Sequence, residues 1–516
     1  VILAVHHYFD MTNDTILFDQ KRQSVVHDLL MQSESSDKDD LHGALAQALA
    51  IAKTRRGKTI VLMNDHAFNR GETYEALVEI AKEKPNLLII LIDEQESLLR
   101  HITSVDVLIK NIRISKAYTN FKTDMKQALD NPVSRPLLGT LTWIRDQVKE
   151  TVLEPSIFTQ FGINYHGPID GQNLKEVMKI FALAQSFTGT HVIHVQTRLK
   201  GSKKRKIEFP KYKTDQAKPE GYLSTLEHLD RYLLKEDAKN LVVLSDGLSL
   251  SEHLLHFSQA KPKQYYTVSG SSFALVDMAY GFAKENKEVL MLISAKRFAH
   301  VAVKLQRYFD QSEHVTVIVY EAGLSRYDRQ VHAAVYDMNA YLNFKSSVYM
   351  AKNAQDLLQL LGQKDNAFKI IRVAHLLEPK KEQSLFPTQV WQEIKPIDHN
   401  SKAVILSFGP QVEALASKIN INDLPYGLVE TQTINQIDET IMQKIIFYRL
   451  PIYIYNIEGD FDILSNHIKS YLFDKNIWVP LTSMTLAGVD YKLSSKELKN
   501  KYHLHLDDFF KLIKEA

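Results

Sequence analysis

The stretch "YYTVSGSSFALVDMAYGFA" (Tyr265–Ala283) has the form of a short strand, a polar turn and a helix start, a place that often carries a working side chain. The turn offers Ser269, Ser271 and Ser272. A hydroxyl donates and accepts hydrogen bonds, but it does not share a proton near neutral pH as a carboxyl does. Behind the serines, Ala274, Val276, Ala279 and Phe282 recur at helical spacing and are expected to share one buried face. A second cluster, Lys203, Lys204, Arg205 and Lys206, has the charge to meet nucleic acid or a phosphate-rich partner. No aromatic interleaving and no known nucleic-acid fold accompany it, so a solvated connector is preferred and no nucleic acid is expected. The chain has no cysteine, which excludes thiolate metal sites, cysteine nucleophiles and disulfides and fits a reducing cytoplasm. There is no Walker loop, no Rossmann glycine fingerprint and no Ser-His-Asp signature with supporting context.

These residues need a scaffold. The 516 residues are 45% hydrophobic with a formal net charge of +2. That composition can bury several cores, about three at ~100–200 residues each, and gives no strong electrostatic address. No apolar run approaches the ~20 residues of a membrane-spanning helix, and no signal peptide is visible, so no membrane partner is expected. Short apolar runs alternate with helical patterns. "KTIVLM" (Lys58–Met63) precedes the helical "ETYEALVEIAKE" (Glu72–Glu83), then "NLLIILI" (Asn86–Ile92). The helical "NLKEVMKIFALAQS" (Asn173–Ser186) precedes "THVIHVQT" (Thr190–Thr197). Strands separated by helices imply parallel βαβ units and a doubly wound sheet. The polar, basic Arg198–Tyr222 reads as a linker. A second block carries strands at Asn240–Ser245, Glu288–Ser294, Val315–Glu321 and Phe368–Val373. A third, from near Pro387, carries them at Lys402–Gly409, Tyr426–Thr431 and Pro451–Glu458. The fold class is α/β, with three α/β domains in series: 1–200, a linker at 201–221, 222–386 and 387–516.

Four phrases together resemble the 1-deoxy-D-xylulose-5-phosphate synthase family, transketolase-like enzymes that use thiamine diphosphate. "FGINYHGPIDGQNLKEV" (Phe161–Val177) is similar to the family's Y-x-G-P-x-D-G-H-D segment. "GLSRYDRQVHAAVYD" (Gly323–Asp337) is similar to its D-G-x-T-H-x-G-x-x-D segment. "VILSFGPQVEAL" (Val404–Leu415) resembles the opening of its C-terminal domain. Val1–Leu30 resembles the region around its W-D-x-G-H-Q motif. Near Met31–Leu41 the chain is shorter than the family and lacks its G-H-x-S-x-S segment. The resemblance implies two thiamine-diphosphate-type doubly wound parallel-sheet domains, pyrophosphate-type then pyrimidine-type, followed by a transketolase C-terminal domain. It also implies a homodimer and condensation of pyruvate with glyceraldehyde 3-phosphate.

Carried over position by position, the resemblance exposes losses. The family's cofactor-activating glutamate falls on Ser272, with Asp277 five residues further along the helix. The diphosphate-binding G-D-G falls on Asn64-Asp65-His66, and the second metal ligand, an asparagine, falls on Glu94. Asp65 and Glu94 are thus the implied ligands of Mg²⁺ or a similar oxygen-seeking cation, should one bind. The glycines that let backbone approach the diphosphate are gone. The phenylalanine that stacks on the aminopyrimidine falls on Lys296, with Phe298 as the stand-in if the register slips by two, and the arginine three residues on falls on Ala299. The G-H-Q histidine falls on Arg22 and the D-G-H-D histidine on Gln172, after Tyr165 of the same motif; these three are the implied substrate positions. His332 remains, four residues after Asp328, and is favoured as a leftover with a structural role.

These losses strike activation, clamping, diphosphate anchoring and proton transfer at one site. At a few kcal/mol each, their sum spans many decades in rate, although such effects are not additive. The expectation is a synthase-like chain that has lost thiamine-dependent catalysis and retains no cofactor. It would use Arg22, Lys296 and His332 for another small, phosphorylated ligand. The alternatives are an active divergent synthase or transketolase that would hold thiamine diphosphate and Mg²⁺, and a scaffold or regulatory partner of a catalytic relative.

Overall fold

The computed structural model describes residues 15–18, 44–54, 57–64, 71–94, 157–197, 221–236, 238–246, 254–268, 272–309, 314–324, 335, 337–363, 368–374, 376–379, 390–459, 462–486 and 495–515. The chain divides into two compact units, Val1–Ile207 and Glu208–Ala516.

The first unit holds one five-stranded sheet. Its elements are β1 (Thr15–Phe18), α1 (Ala44–Thr54), β2 (Thr59–Asn64), α2 (Gly71–Glu83), β3 (Leu87–Glu94), α3 (Ile157–Gln160), β4 (Asn164–Asp170), α4 (Leu174–Ala184) and β5 (Thr190–Thr197). The sheet order is β1-β2-β3-β5-β4, and every pairing is parallel. Leu87 to Leu91 are all buried, as expected where both faces of a parallel strand are covered by helices. Asn173 caps α4 by accepting the amide of Glu176, and Val177, Ile180 and Phe181 of that helix pack on Ile169 and Ile193.

The second unit holds two large sheets. It begins with β6 (Tyr222–Ser224), α5 (Thr225–Lys235), β7 (Leu241–Ser245), α6 (Leu255–Ala260), β8 (Tyr265–Thr267), α7 (Ser272–Lys284), β9 (Glu288–Ser294), α8 (Ala295–Phe309) and β10 (Val315–Tyr320). A 3₁₀ turn (Met338–Tyr341), β11 (Val348–Ala351), α9 (Ala354–Gly362), β12 (Lys369–Val373) and β13 (Leu377–Pro379) follow. The parallel order is β11-β12-β10-β9-β7-β8, while β6 and β13 form an antiparallel ribbon. A capping box starts α5: the Ser224 hydroxyl accepts the Glu227 amide, and the Glu227 carboxylate accepts the Ser224 amide.

The third sheet uses β14 (Trp391–Lys395), β15 (Ala403–Ser407), α10 (Gln411–Ile421), β16 (Tyr426–Thr431), α11 (Glu439–Phe447), β17 (Ile452–Asn456), α12 (Ile463–Asp474) and β18 (Leu481–Thr485). Helices α13 (Ser495–Lys501) and α14 (Leu506–Glu515) follow. Its order is β14-β16-β15-β17-β18, with only β14 antiparallel to its neighbour. One apolar core runs from the second sheet into the third, from Val317 and Phe298 to Leu406 and Ile454. The outer edge of β11 is stitched to the chain after β16: Met350 N donates to Gln432 O at 2.7 Å and Ile434 N to Val348 O at 3.2 Å.

The buried face expected for α7 needs a correction. Val276 and Ala279 are buried with Leu275 and Ala283, whereas Ala274 and Phe282 are only half-buried. The run is apolar on nearly every side, so periodicity alone does not choose the face, and packing against β7 and β9 chooses it. Among the described residues, no helix is long and apolar enough to cross a membrane.

Candidate functional site

In open parallel sheets, ligands bind outside the carboxyl ends of the strands, where successive connections leave in opposite directions. In the second sheet that point lies between β7 and β9, since the chain steps outward to β8 and then back to β9 and β10. Asp246 follows β7 directly and is fully buried. Its Oδ1 accepts the Tyr320 hydroxyl at 2.6 Å and its Oδ2 accepts the Ser294 amide at 3.0 Å, which ties together the ends of β7, β9 and β10. Arg297 Nη1 donates to the Asp246 carbonyl at 3.2 Å. Sequence reasoning passed over Asp246; the only signal was one acid directly after an apolar strand.

Ser272 is the first residue of α7 and is half-buried. Phe273 beside it is exposed, and the Lys304 ammonium lies 5.5 Å from its ring centroid. Asp277 is also on the surface: Lys304 Nζ is 2.6 Å from its Oδ2, and the Tyr308 hydroxyl donates to Oδ1 at 3.2 Å. That carboxylate is engaged between α7 and α8. Lys296 and Ala299 lie half-buried in the first turns of α8. Phe298 is fully buried, with its ring stacked on Tyr341 at 4.8 Å, so it belongs to the core.

In the first sheet, register sets Asn64 beside Ile92, two positions short of Glu94, so β2 and β3 end side by side at the carboxyl edge. Only the backbone of Asn64 and Glu94 is described; Arg22, Asp65, His66, Asp328 and His332 lie outside the described residues. Gln172 is exposed in the turn after β4, where its amide donates to Asp170 Oδ1 at 3.0 Å. Tyr165 sits near the opposite, amino end of β4, paired in register with Val192. It is buried, hydrogen-bonded through its hydroxyl to His194 Nδ1 at 2.6 Å and stacked on Phe158. Tyr165 and Gln172 therefore do not come together. Gly167 between them takes φ +131°, and a Cβ there would stand 2.6 Å from the His194 carbonyl oxygen. A side chain is excluded on both counts.

A histidine pair, His166 with His191, lies on the other face of this edge. His191 Nε2 donates to Thr188 O at 3.0 Å, so its Nδ1 accepts from His166 Nε2 at 2.9 Å. Phe187 stacks against both rings, 4.5 Å from His166 and 4.3 Å from His191. Burial first, and the neighbouring His191 second, push the His166 pKa down to about 3. Burial also lowers His191, helped by the Lys58 ammonium. Both rings are neutral at pH 7. Among the described residues, no group of three or more acid or histidine side chains is placed to hold a metal ion.

Serial parallel α/β sheets define the class. Within it, the family model described as 1-deoxy-D-xylulose-5-phosphate synthase matches residues 41–197. A curated relative from Listeria innocua carrying that name is 24% identical, covering 87% of this chain and 80% of its own length. One from Clostridium acetobutylicum with the same name is 25% identical, covering 83% and 76%. Among solved structures, a transketolase from Campylobacter jejuni aligns at a TM-score of 0.46 and 10% identity, covering 92% of this chain and 82% of its own. Over residues 41–197 this chain is thus similar to the 1-deoxy-D-xylulose-5-phosphate synthase family, and the curated relatives extend that similarity over most of its length.

Proposed function

We propose that the chain keeps the synthase fold and has lost the thiamine-dependent reaction. The observation that carries this reading is Ser272 at the head of α7, where the family's activating glutamate would stand. A carboxyl at that place shares a proton with the cofactor's ring nitrogen, and a serine hydroxyl cannot. The two described acids of this region are committed elsewhere: Asp246 to Tyr320 and Ser294, and Asp277 to Lys304 and Tyr308. Phe298, two residues from Lys296, is held in the core by its stacking on Tyr341 and does not offer a clamp for a pyrimidine. These residues do not fit thiamine diphosphate.

The ligand side of the reading rests on Lys296 with Arg297, two cations in the first turn of a helix whose N-terminus already favours anions. It calls for a small phosphorylated molecule, no cofactor, a homodimer and a cytoplasmic setting. Titration calorimetry of the full chain with thiamine diphosphate and Mg²⁺ is the test. The expected result is no saturable heat at millimolar cofactor, and micromolar binding would sink the proposal. The name that the curated relatives carry favours a second reading, an active divergent synthase. Formation of 1-deoxy-D-xylulose 5-phosphate from pyruvate and glyceraldehyde 3-phosphate would establish it.

A further inference from the structure

Lys352 lies in the turn between β11 and α9, where five side chains from separate elements converge. Its Nζ is 2.7 Å from Glu430 Oε2 of β16 and 3.4 Å from Asp356 Oδ2 of α9. Glu430 is fully buried, and its second oxygen has no hydrogen-bond partner. Glu378 of β13 caps α9, both oxygens accepting the Ala354 amide at 2.9 and 3.1 Å. Glu413 of α10 accepts from Asn353 Nδ2 at 3.2 Å. Segment 352–356 and β13 belong to the second sheet's block, whereas Glu413 and Glu430 belong to the third's. Among the described residues, the charged groups that act on Glu378 are Glu413 and Asp356, and the cluster as a whole sets four carboxylates against the Lys352 ammonium.

We propose that this cluster is a proton-sensitive clasp between the second and third sheets, closed most firmly when Glu378 carries a proton. Burial raises the Glu378 pKa to about 7, against the pull of the Ala354 amide, and Glu413 and Asp356 add to the rise. Burial also raises Glu430 and Asp356 despite Lys352. Lys352 stays charged: burial works against its proton, and Glu430 and Asp356 override it. An acid whose folded pKa lies above its ordinary 4.5 releases its proton later in the folded chain than in the unfolded one. The junction is thus fully favoured below pH 4.5 and weakens as pH rises to about 7. The titration falls across neutrality, so pH near 7 decides whether Glu378 adds its negative charge to the cluster.

The joint itself is the reporter. Hydrogen exchange at the Met350 and Ile434 amides, which bond across the two blocks, is followed in the full chain from pH 5.5 to 8.5 and divided by the intrinsic rate at each pH. Protection is expected to fall about tenfold or more over that range in the native chain, to stay flat in Glu378→Gln, and to keep falling in the distant Asp277→Asn. Glu413→Gln removes an exposed carboxylate and guards against a misfolded Glu378 variant; its midpoint should move to lower pH. A native chain with flat protection, a Glu378→Gln variant that still responds, or an unmoved midpoint in Glu413→Gln overturns the proposal.

Discussion

Among the described residues, the first unit buries His166 as a neutral ring and one lysine, Lys58, whereas the second also buries paired acids and cations where two sheets meet. In the first unit His166 is driven down to about 3, chiefly by burial, and lies against His191 and Phe187. In the second, Arg372 Nε donates to Asp337 Oδ2 at 2.7 Å and Nη2 to Oδ1 at 3.1 Å, both side chains buried. Tyr341 donates to the same carboxylate at 2.7 Å, and Arg372 Nη2 reaches the Glu458 carbonyl at 2.8 Å. Burial disfavours the guanidinium charge, but Asp337 overrides it and lifts the Arg372 pKa. Glu458 is raised by its own burial, with Arg372 opposing. Its carboxyl packs on Gly323, where φ is +83° and a Cβ would overlap Oε2. In the lone sheet the Lys58 ammonium meets the backbone carbonyls of Ala184 and Gln185. A seam between two sheets holds charges that fix how the sheets dock.

The largest break in that comparison is Arg372→Leu. It leaves the Asp337 carboxylate buried without its bidentate partner, and about 3–5 kcal/mol of stability should be lost. Exchange at the Val317 and Ile371 amides should accelerate, while Ile89 and Ile90 of the first unit should not change. Adding Asp337→Leu should restore part of the loss, because the stranded charge goes with it. A double variant as unstable as the single one would contradict the charge argument.

The comparison sharpens with pH. A histidine whose folded pKa is depressed costs stability as pH falls below its ordinary 6.5, because the unfolded chain takes a proton that the folded chain refuses. With His166 at about 3 in the folded unit, the loss at pH 5 is roughly 2 kcal/mol. Glu378 shifts the other way and favours the second unit in acid. Between pH 7 and 5 the first unit's exchange should therefore accelerate while the seam of the second slows. His166→Phe keeps an aromatic ring beside Phe187 and should remove at least half of the first unit's acid slope, with His191 supplying the rest. An unchanged slope would mean that His166 is not what titrates.

Much of this architecture is legible in sequence. Thr190–Thr197, Glu288–Ser294 and Tyr426–Thr431 are strands to the residue, because apolar runs bounded by polar turns leave few alternatives. The face of α7 was not legible, since an all-round apolar run satisfies several faces and Leu275 and Ala283 took the buried places. The Lys352 cluster was invisible for another reason. Residues 352 and 356 share a helical spacing, but 378, 413 and 430 come from three other segments, and only the docking of two sheets brings them together. Of the candidate site, the structure sets Ser272 and Lys296 in the first turns of α7 and α8, a placement that motif order alone did not give for Lys296. Motif order could not tell that Tyr165 and Gln172 lie at opposite ends of one strand.

The smallest expected effect concerns the surface side of the same comparison. Lys304 pairs with Asp277 at 2.6 Å and lies over the Phe273 and Tyr308 rings at 5.5 and 5.6 Å. The Asp277 side chain is 53% exposed, so water screens the pair. Lys304→Met keeps most of the apolar stem and removes the charge, and about 0.2–1 kcal/mol should be lost, less at high salt. That is well below the Arg372 figure, although both variants delete one cation from one carboxylate. Equilibrium denaturation of the two variants at low and high salt measures the ratio. If Lys304→Met cost as much as Arg372→Leu, depth in the seam would not be what gives a charge its weight, and the contrast between seam and surface in the second unit would lose its physical basis.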